Sequence, residues 1–211
     1  MKTCYIACAL DCKIDFKKGE DDLIIGADRG YFTLVKNHII PDVVIGDFDS
    51  YTGEIDCENV IRFPVKKDDT DSALAVKYAV EKGYKSILIF GAIGGMLDHT
   101  IANISLISRY IKEGVRIALV DEENVIFPIH NEKICFDSEA NGRISVFSFT
   151  DSSFGVSETG LLYTLENFEL KSDCALGVSN EFVGKASQIS VEKGVLLIYT
   201  SKNNFEKHLT K

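Results

Sequence analysis

Short apolar runs alternate with stretches of helical periodicity along the first half of the chain. The apolar runs predict five strands, at residues 4–10, Leu23–Ala27, Val43–Ile45, Ile87–Phe90 and Arg116–Val120. Apolar residues three and four apart predict three helices between them, at residues 29–38, 71–82 and 98–112. This alternation is typical of an α/β domain in which helices cover a mostly parallel sheet.

The pattern changes after residue 123. Helical periodicity ends there, and short β-rich runs separated by turn residues take its place. These runs predict strands at Val125–Phe127, Ile134–Phe136, Ile144–Phe149, Leu161–Leu165, Ile189–Val191 and Val195–Tyr199. Such spacing is typical of a small antiparallel sandwich or barrel. We therefore expect two domains, an α/β domain over residues 1–123 and a small all-β domain over residues 124–211.

The composition is ordinary for a globular protein and argues against several classes of function. Of the 211 residues, 45% are hydrophobic and 26% are charged, and the formal net charge is -9. An acidic chain lacks the clustered Lys and Arg that a nucleic-acid surface requires. No apolar run approaches the roughly 20 residues of a membrane span. The six cysteines include no CxxC pair, so we expect free thiols in a reducing cytoplasm.

Two aspartates directly follow the predicted strand at Val43–Ile45. Asp47 and Asp49 are two residues apart, so in extended chain their carboxylates point the same way and can converge on one ion. Open α/β sheets bind ligands beyond the carboxyl ends of their strands, which is where this pair falls. An acidic surface turn is the alternative interpretation.

A second acidic cluster lies at the start of the helix predicted at residues 71–82. Asp68, Asp69 and Asp71 follow two lysines at residues 66–67. Thr70 is the expected N-cap, and acids in a first turn suit the helix dipole, so capping alone explains one or two of them. Three acids in four positions repel one another unless a cation joins them. Metal or phosphate chemistry is the second interpretation.

A glycine-rich turn joins the strand at Ile87–Phe90 to the helix that follows it. Gly91, Gly94 and Gly95 allow the backbone to approach a ligand closely and to offer N–H groups to phosphate. The turn matches neither a P-loop nor GxGxxG. Asp98 and His99 add titratable groups at the start of the helix, where Asp98 is either a cap or a functional acid and His99 is a surface histidine or a site residue.

One more strand end carries candidate site residues. Asp28, Arg29 and Gly30 follow the strand at Leu23–Ala27, and Arg29 either clamps a phosphate or forms a salt bridge within an acidic chain. Four strand ends thus carry acids, glycines or both, and all should open on one edge of the sheet. Several carboxylates beside an N–H-rich turn are what a magnesium–polyphosphate ligand requires.

Six motifs, in order along the chain, resemble those of the thiamine pyrophosphokinases: GADRG, PDVVIGDFDS, DDTD, GGMLDH, TGLLY and GVSN. The resemblance covers nearly the whole chain. It implies an α/β catalytic, ATP-binding domain over residues 1–123 and a β-sandwich thiamine-binding domain over residues 124–211. The implied reaction moves the β,γ-diphosphate of ATP to the hydroxyl of thiamine and releases AMP. The implied assembly is a homodimer with active sites between its subunits.

The resemblance also implies roles for individual residues. Magnesium and the ATP diphosphate would be bound by Asp47, Asp49 and Asp71. The implied nucleotide contacts are Asp28, Arg29, Gly30, Lys67, Asp68, Thr70, Gly91, Gly94 and Gly95. Either Asp71 or Asp98, beside the phosphates, would accept the proton of the hydroxyl. The thiamine pocket would be formed by Tyr163, which stacks on the pyrimidine, and by Ser179 and Asn180, which bond to its edge.

The chain departs from the family pattern at two places. Some members carry Trp where Tyr163 stands, and some carry a basic residue in the region of Leu74 and Ala75. Another base, either Arg29 or one of the lysines at residues 66–67, would then have to neutralise the phosphates. Two alternatives remain: another magnesium-dependent phosphotransferase, and a non-catalytic thiamine- or nucleotide-binding protein.

Overall fold

The computed structural model describes residues 2–48, 55–64 and 68–210. The chain divides into two compact units, Met1–Glu122 and Glu123–Lys211. Within the described residues, no helix combines the length and the apolar character that crossing a membrane requires.

The first unit is an α/β fold. Its strands are β1 Thr3–Ala7, β2 Leu23–Ala27, β3 Val43–Gly46, β4 Val60–Arg62, β5 Ser86–Phe90 and β6 Arg116–Val120. Its helices are α1 Gly30–Lys36, α2 Asp71–Glu81 and α3 Leu97–Tyr110, and a 3-10 turn at Ile111–Glu113 follows α3. The strand order is β6-β5-β1-β2-β3-β4, with parallel pairing throughout these strands. The predicted α/β class with a parallel sheet is therefore confirmed for this unit.

The central strands of this sheet are buried on both faces, which explains their nearly continuous hydrophobic sequences. Ile6, Ile25, Ile45 and Ile89, from four different strands, are all fully buried. Parallel strands covered by helices on both faces have this composition. The five strands predicted in this half of the chain are recognised by these hydrophobic runs. Strand β4 was not predicted, because its residues are only half-buried or exposed and form no such run.

The first predicted strand, at residues 4–10, ends earlier in the structure, at Ala7. Beyond it the chain leaves the strand geometry, although the N–H groups of Cys8 and Leu10 still donate to the carbonyl oxygens of Phe90 and Gly91. Gly30 at the start of α1 packs so closely on the Ala7 carbonyl that a Cβ atom at Gly30 would overlap it. The start of α1 therefore packs directly against the end of β1.

The second unit consists of antiparallel strands and one π-helical turn at Asn204–His208. The strands are β7 Asn124–His130, β8 Lys133–Phe136, β9 Arg143–Ser148, β10 Ser152–Thr159, β11 Leu165–Lys171, β12 Asn180–Glu181, β13 Ser187–Ser190, β14 Val195–Ser201 and β15 Leu209–Thr210. One set runs in the order β12-β9-β14-β7 and the other in the order β11-β10-β13-β8-β15. The antiparallel β character is confirmed, and the sandwich arrangement stays a prediction.

The strand predicted at Leu161–Leu165 is wrong. The structure has a turn there, between β10 and β11, with a single bridge from Leu161 to Phe182. Gly160 enters the turn with φ +72°, and a Cβ atom there would overlap the Ala186 carbonyl. Both strands that flank the turn escaped prediction, because their sequences, SSFGVSET and LENFELK, are largely polar.

Candidate functional site

The first unit contains a cavity of about 880 Å³ at the carboxyl end of its sheet. Its walls are the segments that follow β1, β2 and β5, the start of α2, and parts of α1 and α3. Seven residues predicted from the sequence line it: Asp28, Arg29, Thr70, Asp71, Gly91, Gly94 and Gly95. This is the position at which open α/β sheets bind ligands.

The glycine turn after β5 has a backbone that other residues would strain. Gly91, Gly94 and Gly95 have φ of +66°, +91° and +63°. A Cβ atom at Gly91 would also overlap the carbonyl oxygen of Leu10, whose N–H donates to the Gly91 carbonyl oxygen. Glycine is therefore required at Gly91 by both its φ and its surroundings.

Two side chains of α3, which the sequence analysis did not single out, hold this turn in place. Thr100 Oγ1 accepts from the N–H of Gly94 at 3.0 Å and also lies within donating distance, 3.1 Å, of the Gly94 carbonyl oxygen. Asn103 is 6% exposed, and its Nδ2 donates to the carbonyl oxygen of Ala92 at 3.0 Å. A buried amide in an otherwise apolar helical stripe is the signal that would have identified Asn103.

Asn103 also links the glycine turn to the start of α2. Ser72 Oγ donates to Asn103 Oδ1 at 2.8 Å, and Thr70 Oγ1 lies 3.0 Å from Ser72 Oγ. Thr70 is the N-cap of α2, as predicted, and accepts from the N–H of Ala73 at 3.2 Å. This chain of bonds fixes Asp71, in the first turn of α2, against the cavity wall.

The segment after β2 places Asp28 and Arg29 on the cavity wall and Gly30 behind it. Asp28 has φ +48°, and its N–H donates to the carbonyl oxygen of Ile45 at 2.7 Å. Arg29 is exposed, whereas Gly30 is buried and is not a lining residue. The close approach of Gly30 to Ala7 gives this glycine a packing function in the structure.

Besides Gly30, three residues predicted for the nucleotide and metal site in the described part of the chain lie outside the cavity lining. Asp47 is half-buried directly after β3, while Asp68 and Asp98 are exposed. Asp98 is not the N-cap of α3, a position that Met96 occupies, and its Oδ1 accepts from the N–H of His99 at 2.9 Å. His99 itself is exposed and does line the cavity.

In the second unit, one buried amide joins the two motifs predicted to form the thiamine pocket. Asn180, 3% exposed, accepts from the N–H of Tyr163 at 2.9 Å through Oδ1. Its Nδ2 donates to the carbonyl oxygen of Tyr163 at 2.7 Å. The Tyr163 side chain is 66% exposed, and Ser179, also exposed, has φ +58° and donates its N–H to Ser145 Oγ.

A buried acid, which the sequence analysis missed, completes this cluster. Asn180 Nδ2 also donates to Oε2 of Glu158, on β10, at 2.9 Å. Glu158 is 1% exposed, and its burial raises the pKa of its carboxyl group to about 7, although the hydrogen bond from Asn180 acts in the opposite direction. Its position two residues after Val156, on the same inward face of β10, was the available signal.

Comparisons with known proteins identify the family. The model for the catalytic domain of thiamin pyrophosphokinase matches residues 18–119, and the model for its vitamin B1 binding domain matches residues 131–196. The thiamine pyrophosphokinase of Bacillus subtilis is 33% identical over 190 residues, which cover 86% of this chain and 88% of the relative. The chain belongs to the thiamin pyrophosphokinase family.

Solved structures of thiamin pyrophosphokinases share the fold. The crystal structure of the Bacillus subtilis enzyme matches with a TM-score of 0.83 and 30% identity, covering 95% of this chain and 99% of that one. That of a thiamin pyrophosphokinase family protein from Enterococcus faecalis matches with a TM-score of 0.82 and 26% identity, covering 96% and 99%. The family predicted from the motifs is therefore confirmed.

The predicted magnesium ligands of this thiamin pyrophosphokinase family member are only partly described. Asp49 and Lys67, a predicted nucleotide contact, lie outside the described residues. Within residues 2–48, 55–64 and 68–210, no three His, Cys, Asp or Glu side chains form a group that could hold a metal ion. The carboxylates of Asp47 and Asp71 supply the hard oxygen donors that magnesium prefers. Their chemistry fits the ion, and their role stays a prediction.

Proposed function

We propose that the chain transfers the β,γ-diphosphate of ATP to the hydroxyl of thiamine, giving thiamine diphosphate and AMP. The observation that carries the proposal is the cavity of the first unit, where Arg29, Asp71 and the glycine turn converge in a chain that both family models match. A volume of about 880 Å³ is within the usual range of small-molecule sites and is ample for a nucleotide.

The cavity wall supports binding of the ATP phosphates. Arg29 is an exposed lining residue, and its guanidinium is suited to a bidentate contact with a phosphate group. The glycines of the turn line the cavity and carry no side chains of their own between their main-chain atoms and a ligand. Lys67 and Asp68, before α2, are proposed as additional contacts, as are the main chains of Gly30 and Thr70.

Magnesium is the proposed cofactor, with Asp47, Asp49 and Asp71 as its ligands. Bound there, it would neutralise charge on the phosphates as the leaving group departs. The bonds of Thr70, Ser72 and Asn103 hold the start of α2, and hence Asp71, in a defined position. A ligand held in this way is preorganised for an ion that demands near-ideal octahedral geometry.

The proposed chemical step is an in-line displacement at the β-phosphorus. The thiamine oxygen forms a bond to this phosphorus, while the bond from the phosphorus to the oxygen bridging the α- and β-phosphates breaks and AMP leaves. A carboxylate accepts the proton of the hydroxyl. Of the two candidates, Asp71 is favoured because it lines the cavity, whereas Asp98 does not. Positioning and charge neutralisation carry most of such a reaction.

Thiamine is proposed to bind through Tyr163, Ser179 and Asn180 of the second unit. The exposed ring of Tyr163 suits stacking on an aromatic, cationic ligand. Asn180 is bonded to Tyr163 and Glu158 through all of its amide groups, which supports an indirect part for it in binding. Ser179, exposed at the bend before Asn180, is the better candidate for a direct hydrogen bond.

A homodimer with active sites between the subunits is the proposed assembly. Met96, Leu97 and Ile101, at the start of α3, are 56% to 72% exposed, and Met96 lines the cavity. Exposed apolar side chains at the edge of a site support burial by a second subunit. The cytoplasm is the proposed location, and the six cysteines, all free thiols, support a reducing compartment.

Incubation with ATP, magnesium and thiamine tests the function directly. We expect AMP and thiamine diphosphate in equal amounts. Formation of ADP would instead indicate transfer of a single phosphoryl group and favour the alternative phosphotransferase. Absence of product from folded protein that still binds thiamine would favour the non-catalytic binding protein.

A further inference from the structure

Strand β10 places a carboxyl group in the interior of the second unit. Glu158 is 1% exposed, and the residues opposite it on the neighbouring strands are Leu165 and Ile189. Its Oε2 accepts from Asn180, while its Oε1 has no hydrogen-bond partner among the described residues. Burial of a carboxyl group is costly, and a leucine side chain would pack at this position without that cost. The presence of Glu158 therefore indicates a specific function.

Asn180 uses all of its hydrogen-bonding capacity within this cluster. Its Oδ1 accepts from the N–H groups of Tyr163 and Glu181, each at 2.9 Å. Its Nδ2 donates to the carbonyl oxygen of Tyr163 and to Glu158. Glu158 is therefore the side chain that occupies the second donor of Asn180, and together with the main-chain bonds it fixes the rotation of the amide plane.

Tyr163 depends on that amide for its main-chain position. It lies in the turn between β10 and β11, outside both strands, and its N–H and its carbonyl oxygen both bond to the Asn180 side chain. The exposed ring then projects from a backbone that is fixed from the inside of the unit. A rotation of the Asn180 amide would break two bonds to Tyr163 together.

We propose that Glu158 is a positioning residue of the thiamine site, acting through Asn180 to fix the main chain of Tyr163. The proposal rests on the proposed function of Tyr163 as the residue that stacks on thiamine. Glu158 touches no substrate in this arrangement. Glu158 determines how tightly thiamine is bound. It does not affect ATP binding or the chemical step.

Replacement of Glu158 by Leu and by Gln separates positioning from packing. Glu158→Leu removes the acceptor of Asn180 and leaves a buried donor unpaired, so we expect the KM for thiamine to rise about tenfold. The kcat and the KM for ATP should change by less than about twofold, since neither depends on Tyr163. Glu158→Gln retains an acceptor oxygen, and its KM for thiamine should stay within about twofold of the wild type.

Ser187→Ala is the matched control. Ser187 lies on β13, is 3% exposed, and its Oγ likewise has no partner among the described residues, but it makes no bond to Asn180. A positioning function predicts an unchanged KM for thiamine in this variant. Thermal melting of each variant shows that it is folded. An unchanged KM for thiamine in folded Glu158→Leu, or an equal rise in Ser187→Ala, would overturn the proposal.

Tyr163→Ala, measured in the same series, tests the proposed thiamine site separately from the positioning function of Glu158. If it leaves the KM for thiamine unchanged, the proposed thiamine site is wrong and the function of Glu158 falls with it. If Tyr163→Ala raises that KM while Glu158→Leu does not, the thiamine site stands and only the positioning function of Glu158 is refuted. A rise in both, with recovery in Glu158→Gln, supports both.

Discussion

The cavity of the first unit, proposed to bind the nucleotide, and the Glu158–Asn180–Tyr163 cluster of the second, proposed to bind thiamine, are built from different parts of the polypeptide. The cavity is lined by the segments that follow three strands, including the glycine turn, by the start of α2 and by parts of α1 and α3. The thiamine cluster depends on side chains of Glu158 and Asn180 that meet across 22 positions of sequence. The cavity should be sensitive at its glycines and at the few side chains that act there, such as Asp71, whereas the cluster should be sensitive at each of its members.

The largest expected effect is on catalysis at the cavity. Asp71→Asn removes a charge at the start of α2 without changing the size of the side chain, so we expect kcat to fall about 100-fold or more. Asp69→Asn is the control, because Asp69 is an exposed acid two residues away that does not line the cavity. Steady-state assays of AMP release measure both. An equal fall in kcat in both variants would mean that the net negative charge of this segment, and not the position of Asp71, is important.

The next effect concerns stability in the second unit and its dependence on pH. The pKa of Glu158 is raised from 4.5 to about 7 by burial. Between these values the folded chain keeps a proton that the unfolded chain loses, so the free energy of unfolding falls as pH rises from about 4.5 to about 7. The fall amounts to about 3 kcal/mol for a shift of this size.

Denaturant unfolding of Glu158→Gln against the wild type, from pH 4.5 to pH 8, measures this effect. Gln does not titrate, so the stability difference should shift in favour of the variant by about 3 kcal/mol over that range. Other titrating groups, such as the Asp137–His208 pair, are present in both proteins and cancel. Glu166→Gln, on an exposed glutamate of β11, should show no such trend. If the difference in free energy of unfolding between Glu158→Gln and the wild type did not change with pH, the raised pKa of Glu158 would be contradicted.

These two regions also differ in how far the sequence predicts them. The parallel strands were predictable because burial on both faces makes them continuously hydrophobic, and Thr70 was predictable as a cap because capping is local. The bond from Glu158 to Asn180 was not, because it depends on how β10 and β12 come together in space. Asn103 is intermediate: the helical pattern marks it as a polar residue on an apolar face, but not its partners.

Two glycines with similar backbones differ in how closely other atoms pack against them. Gly91 and Gly114 both have positive φ, +66° and +76°, so alanine at either carries a similar backbone cost. A Cβ atom at Gly91 would overlap the Leu10 carbonyl, whereas at Gly114 it would meet nothing within 4 Å. Gly91→Ala should therefore be about 2 kcal/mol less stable than Gly114→Ala, and should weaken ATP binding as well. Equal stabilities of the two variants in denaturant unfolding would show that the main chain at Leu10 moves away from the added methyl group at little cost.

The smallest expected effect is a gain at the thiamine end. Tyr163→Trp enlarges the exposed ring, and indole is the best aromatic partner for a cation, so the Kd for thiamine should fall about twofold to fivefold. The main chain of Tyr163 is bonded to Asn180 and does not depend on the identity of its ring, so the larger side chain needs no new backbone position. The chain contains no tryptophan, so the introduced indole would be its single tryptophan fluorophore, and thiamine binding can be followed by its quenching. Quenching by thiamine but not by ATP would show that thiamine binds next to residue 163. No change with either ligand would show that this residue is not part of the thiamine site.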